Sequence, residues 1–119
     1  MFKTAWFSKA SAKALIPDAE LCVASRQVML GQCDDLGGGV YKKRLGKNLF
    51  RSIIVAKGGR YWIYAYFFAK SKRANIDQDE LKEFRKLAEL YAGKSEIDID
   101  AELQFGKIVE ICHGQQAEV

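Results

Sequence analysis

The order of segments predicts an α+β domain: an antiparallel sheet of about four to five strands, with an N-terminal helical hairpin and C-terminal helices packed on it. Three observations lead there. Two stretches with helical apolar spacing precede Gly31; three strand-like runs follow between 40 and 69, the third crowded with Tyr, Trp, Ile and Phe; helical spacing returns from 77 onward. The chain has 119 residues, 49% of them apolar and 29% charged, without repeats or low-complexity stretches, so one domain over 1–119 is expected.

Residues 2 to 6, "FKTAW", alternate loosely and predict a first strand. Ser8 suits the N-cap of a short helix rich in Ala and Lys, which Pro17 closes. Asp18 can cap a second helix, in which Leu21, Cys22, Ala24 and Val28 recur near helical spacing before Gly31 stops it. "QCDDLGGG" reads as a loop, because Asp and Gly favour turns. Strands are expected at 40–45, 49–57 and 60–69, the last two joined by a two-glycine hairpin turn in "KGGR". The third of these is the most aromatic and is expected at a central, covered position, with the opposite face of the sheet left partly open.

Asp77 with Glu80 makes a capping-box pair ahead of a long helix whose apolar face is Leu81, Phe84, Leu87, Ala88 and Tyr91, ended by Gly93. A short helix over 97–105, a stop at Gly106 and a strand "KIVEI" at 107–111 complete the reading. The tail "HGQQAEV" from 113 has no packing period and reads as frayed.

Several functions find no support. Lysines at 3, 9 and 13 interrupt any apolar stretch long enough for a signal peptide, and the longest apolar run, 61–69, is about half a membrane span. A cytoplasmic location away from membranes is expected. Cys22, Cys33 and Cys112 show no CxxC pair and no histidine at ligand spacing, so reduced structural thiols are expected and no metal or cofactor is indicated. Gly37 to Gly39 precede a strand rather than a helix, unlike a P-loop. His113, the one histidine, reads as a solvated side chain in a polar tail rather than a general base.

The net charge of +4 hides an asymmetry: residues 36 to 76 hold ten Lys or Arg and no Asp or Glu, while the remainder holds nine basic and fifteen acidic residues. Such a segment is the footprint of a polyanion binder, although a Lys/Arg-rich strand also serves to protect a sheet edge from aggregation. On a strand over 40–45, Lys42 and Arg44 project from one face. Arg51 lies on the next strand, and Lys70 and Arg73 leave the end of the third, so five cations are expected to converge at one end of the sheet. Lys43, Lys47 and Lys72 add charge for binding RNA, and Tyr64 and Tyr66, on the parity of Lys70, are candidate stacking surfaces for bases as well as candidate core residues.

RNA carries its own nucleophile, the 2′-hydroxyl. Cations preorganised around a phosphorane stabilise its charge without a metal, and Lys42 or Lys70, crowded by other cations, is a candidate base.

"DLGGGVYKKRL", the Arg51 that opens "RSIIVAK", "FFAKSKRANI", "DELKEFRKLAEL" and "GKIVEI" together resemble the RelE branch of the RelE/ParE superfamily, the toxins of bacterial type II toxin-antitoxin modules. The resemblance runs from about residue 2 to 111. It implies a ribosome-dependent endoribonuclease (an mRNA interferase) that cuts mRNA without metal and leaves a 2′,3′-cyclic or 3′-phosphate and a 5′-hydroxyl. It also implies inhibition of translation, and a cognate antitoxin, of helix-turn-helix type, encoded beside it. Lys42 and Arg44 fall on the family's basic strand, Arg51 on the arginine that begins the next, and Lys70 and Arg73 on the basic end of the third. Two departures stand out: Ile76, Asp77 and Gln78 occupy the place where better-known members carry a tyrosine, and the hairpin "GKNLF" is short. The alternatives are a ParE-like inhibitor of DNA gyrase and a catalytically degenerate homologue that binds only antitoxin or RNA.

Overall fold

In a computed structural model that describes residues 1–112, the chain forms β1 (Phe2–Thr4), α1 (Ala5–Lys13), α2 (Asp18–Met29), β2 (Asp34–Gly37), β3 (Val40–Leu45) and β4 (Phe50–Val55). It continues through β5 (Ile63–Ala69), α3 (Gln78–Ala92), α4 (Glu96–Gln104) and β6 (Ile108–Glu110). One sheet takes the order β2-β3-β4-β5-β1-β6, antiparallel throughout except where β1 runs parallel to β5. The α+β class and the helical hairpin are as predicted. The frayed tail and His113 lie outside the described residues.

The added strand is β2, read from sequence as loop. Asp34 pairs with Lys42 and Asp35 with Tyr41, so the backbone of this turn-rich segment is satisfied by a partner the local residues do not announce. Its turn needs glycine: Gly38 has φ +67°, and a Cβ there would meet the Arg85 side chain at 2.7 Å. Arg85 lies so close because it donates to the carbonyls of Leu36 (2.6 Å) and Gly37 (3.3 Å), tying α3 to this end of the sheet.

Other boundaries shift for local reasons. Thr4, not Ser8, caps α1, accepting from the Phe7 amide at 3.1 Å and ending β1 early. Pro17 holds the N-cap position of α2, which frees Asp18 to pair with the buried Lys3 at 2.7 Å. The β4–β5 connection occupies 56–62, with both Gly58 and Gly59 at positive φ, rather than a two-residue turn. The capping box of Asp77 and Glu80 forms as read, and Ser95 with Asp98 repeats it on α4.

Helices cover the sheet from both sides. Phe7, Leu21, Ala24 and Val28 of α1 and α2 pack with Leu45, Ile54 and Tyr64 on one face. Ala88, Tyr91 and Ile99 of α3 and α4 pack with Val40, Ile53, Val55 and Phe68 on the other. A β-bulge decides which face each tyrosine takes: Ile54 pairs with Tyr64 but Ile53 with Tyr66, leaving Ala65 unopposed. The two rings, expected on one face, therefore lie on opposite faces.

The cysteine expectation is corrected as well. Cys22 and Cys112 are joined in a disulfide, their Cα atoms 5.3 Å apart, and Cys33 alone is free. The two bonded cysteines are 90 residues apart in sequence, and only the packing of α2 beside the end of β6 brings them within bridging reach. Among the described residues no helix is long and apolar enough to cross a membrane.

Candidate nucleic-acid interface

The register of β3 against β4 builds the site. Val40 faces Val55, Lys42 faces Ile53 and Arg44 faces Arg51; across the next strand pair Arg51 faces Phe68. Because side chains alternate along each strand, Lys42, Arg44 and Arg51 share the face of Ile53 and Phe68. At the Val40 end Ala88 and Tyr91 of α3 belong to the core that covers this face, and Arg85 binds the β2–β3 turn. The Arg44–Arg51 end is left open, with Arg44 exposed and Arg51 half-buried.

Two like charges directly opposite each other on a sheet are destabilising. Among the described residues neither arginine pairs with a carboxylate. Arg51 is instead held by its own turn, with Nη1 donating to the carbonyls of Asn48 (3.2 Å) and Phe50 (3.1 Å). That turn is fixed by α2, since the Glu20 carboxylate accepts from the Gly46 amide at 2.6 Å. A helix on one face thus sets the arginine of the other.

The remaining predicted residues divide. Lys42 joins the arginines, its Nζ 3.7 Å from Asp34 of β2, a partner hidden while that segment read as loop. Lys43 leaves by the opposite face, where its Nζ donates to the Gln32 carbonyl at 2.8 Å. A concavity of about 240 Å³ at this edge is lined by Gln32, Cys33, Asp34, Lys42, Lys43 and Arg44. Lys47 is exposed in the β3–β4 turn, and Lys70 and Lys72 are exposed where β5 ends; the Lys70 amide donates to the Leu49 carbonyl at 3.0 Å, joining the two places.

Arg73 lies over the Phe68 ring, 5.4 Å from its centroid, and closes a two-toothed ion pair with Glu80. Hydrogen bonds from Arg73, then the Asp77 backbone, hold the Glu80 carboxyl below the usual carboxylate range. The same pair raises Arg73 above the usual guanidinium value. Its charge is already answered, unlike that of Arg44 or Arg51.

Tyr64 is not a stacking surface. It is fully buried, its hydroxyl donates to the Leu21 carbonyl at 2.7 Å, and its ring stacks on Phe7 at 4.9 Å. Burial, and then Glu20, push that hydroxyl far above the ordinary tyrosine value. Tyr66 stays half-buried on the cationic face, 6.0 Å from Phe68 and stacked on Trp6 at 5.1 Å. Nothing in the spacing of α1 marks Trp6; its indole reaches this face because β1 stops at Thr4 and α1 takes its place beside β5.

Among the described residues no three His, Cys, Asp or Glu side chains gather as metal ligands would. The chemistry on offer is cationic and aromatic, suited to a phosphate chain with bases. No curated protein and no solved structure matches the sequence significantly. A family model for the RelE toxin of the RelE/RelB toxin-antitoxin system matches residues 1–111, nearly the whole chain. The chain therefore belongs to the RelE toxin family, and is a toxin whose family implies a cognate antitoxin.

Proposed function

We propose that this toxin is a metal-independent, ribosome-dependent endoribonuclease that cuts mRNA in the cytoplasm and so inhibits translation. One observation supports this above the others: Arg44 faces Arg51 in register, with Lys42 on the same open face and no carboxylate answering either arginine among the described residues. A fold does not maintain such repulsion for stability, whereas a pentavalent phosphorane gives both guanidiniums a dianionic partner.

In this reading the 2′-oxygen attacks the adjacent phosphorus while the bond to the 5′-oxygen breaks, leaving a 2′,3′-cyclic phosphate and a 5′-hydroxyl. Arg44 and Arg51 stabilise the charge on the non-bridging oxygens. Lys42, beside them, acts as its neutral amine and takes the proton from the 2′-hydroxyl, while water gives a proton to the leaving 5′-oxygen. Lys47, Lys70 and Lys72 draw in neighbouring phosphates. Arg73, held on Phe68 by Glu80, borders the site and orients the chain. The antitoxin is of helix-turn-helix type in this proposal, as the resemblance implies.

A second reading has its own support. Lys42 and Arg73 both carry carboxylate partners, and no tyrosine stands at 76 to 78, which is what a degenerate homologue that binds without cutting would show. The test is to express the protein without antitoxin and map the 5′ ends of cellular mRNA, alongside Arg51→Ala. New 5′-hydroxyl ends inside translated frames, lost in the variant and when translation is blocked, are expected. Growth arrest with intact mRNA points to gyrase and is checked by DNA supercoiling; harmless expression points to the degenerate homologue.

A further inference from the structure

Trp6 is 51% exposed, whereas its neighbour Phe7 is fully buried. The indole is nevertheless ordered by packing: it lies nearly parallel to Tyr66, at 25° and 5.1 Å between ring centroids. Tyr66 in turn touches Phe84 of α3 at 5.8 Å and Phe68 at 6.0 Å, and Phe68 is the residue that faces Arg51 across the sheet. A continuous aromatic path therefore leads from the open arginines to an exposed indole supported from below. On its own helix the indole has no acidic neighbour: α1 has no Asp or Glu, and the exposed Lys9 is three residues on from Trp6, on the same helix face, while Glu80 and Glu83 of α3 flank Phe84 on the far side of Tyr66.

We propose that Trp6, backed by Tyr66, is a stacking subsite for a base of single-stranded RNA next to the scissile phosphate. This rests on the reading of the arginine face as an RNA site. Stacking on an aromatic platform is sequence-tolerant, because every base has a π-face, and the flanking cations hold the backbone. Tyr66 keeps the indole from collapsing onto the protein. Trp6 is a positioning residue, placing the nucleotide so that the neighbouring phosphate meets Arg44 and Arg51.

Trp62 is the other tryptophan, so in a Trp62→Phe protein the indole fluorescence reports Trp6 alone. The probe is a short 2′-O-methyl RNA, which lacks the nucleophile and stays intact. Saturable quenching is expected, weakened about five- to a hundredfold when the oligonucleotide is abasic. Trp6→Ala should weaken RNA binding by a similar factor and slow ribosomal cleavage, with Trp6→Phe restoring much of both and thermal melts reporting that each variant is folded. If mRNA is cut but folded Trp6→Ala binds and cuts like wild type, the subsite is overturned while the nuclease reading stands. If RNA quenches Trp6 but no mRNA is cut, the subsite stands and the nuclease reading fails. Quenching by purified antitoxin and not by RNA would assign the indole to a protein partner and overturn the proposal.

Discussion

The two ends of the β3–β4 hairpin share strands, register and sheet face, yet they do opposite things. At one end Val40 meets Val55, both fully buried beneath α3; at the other Arg44 meets Arg51, with Arg44 exposed and no helix of the described residues packed over them. The first arrangement removes apolar surface from water and stabilises the fold. The second sets like charges face to face and costs stability, which is the usual mark of a site kept for binding. In the proposed function, stability and binding are thus separated along one pair of strands rather than between domains.

This separation can be broken from either end. Ile53→Ala, at the buried centre of β4, should cost about 2–5 kcal/mol in urea unfolding by leaving a cavity in the core, while the folded fraction keeps its cleavage rate. Arg51→Ala should do the reverse, lowering cleavage about a hundredfold or more with unfolding free energy within about 0.5 kcal/mol of wild type. A loss of stability as large as that of Ile53→Ala would show that the arginine is structural.

Arg44→Thr sharpens the contrast. Removing one of two facing cations should raise stability by about 0.2–1 kcal/mol, measured by thermal unfolding at low salt, and the gain should shrink as salt screens the pair. Cleavage should fall in the same variant, since in the proposed function the two facing arginines are the phosphate site.

The smallest effect concerns the rim. Glu80 has a carboxyl lowered in the folded state, so its clasp on Arg73 contributes fully above the ordinary value of 4.5 and is lost as pH falls through the lowered one. The gap in urea midpoint between wild type and Glu80→Gln should therefore be constant near neutrality and close on the acid side. A gap that persists in acid would mean the carboxylate charge is not what stabilises the clasp.

What the sequence revealed follows the range of each interaction. The capping box at Asp77 is built within four residues, and the shared face of Lys42 and Arg44 needs only strand alternation, so both were legible. The same alternation sends Lys43 to the other face. Strand β2 was not legible, because Asp34 and Asp35 look like turn residues until β3 supplies their partner. Nor was the parting of Tyr64 from Tyr66, since the bulge at Ala65 has no distinctive residue to betray it. Trp6 joins the site only through the packing of α1 against β5, which no local pattern encodes.

The bond between Cys22 and Cys112 has a mechanical consequence. It closes a covalent ring around β2 to β6, so once β1 and the helices before Cys22 have been pulled free, tension applied to the two ends of the chain is borne by the two sulfurs rather than by β2 to β6. Among the described residues, the segment before Cys22 is what can be drawn out, about 70 Å of extended chain at ~3.3–3.6 Å per residue. Anything that unravels this protein by threading it from the end must then pull two strands abreast, or meet a reductant first.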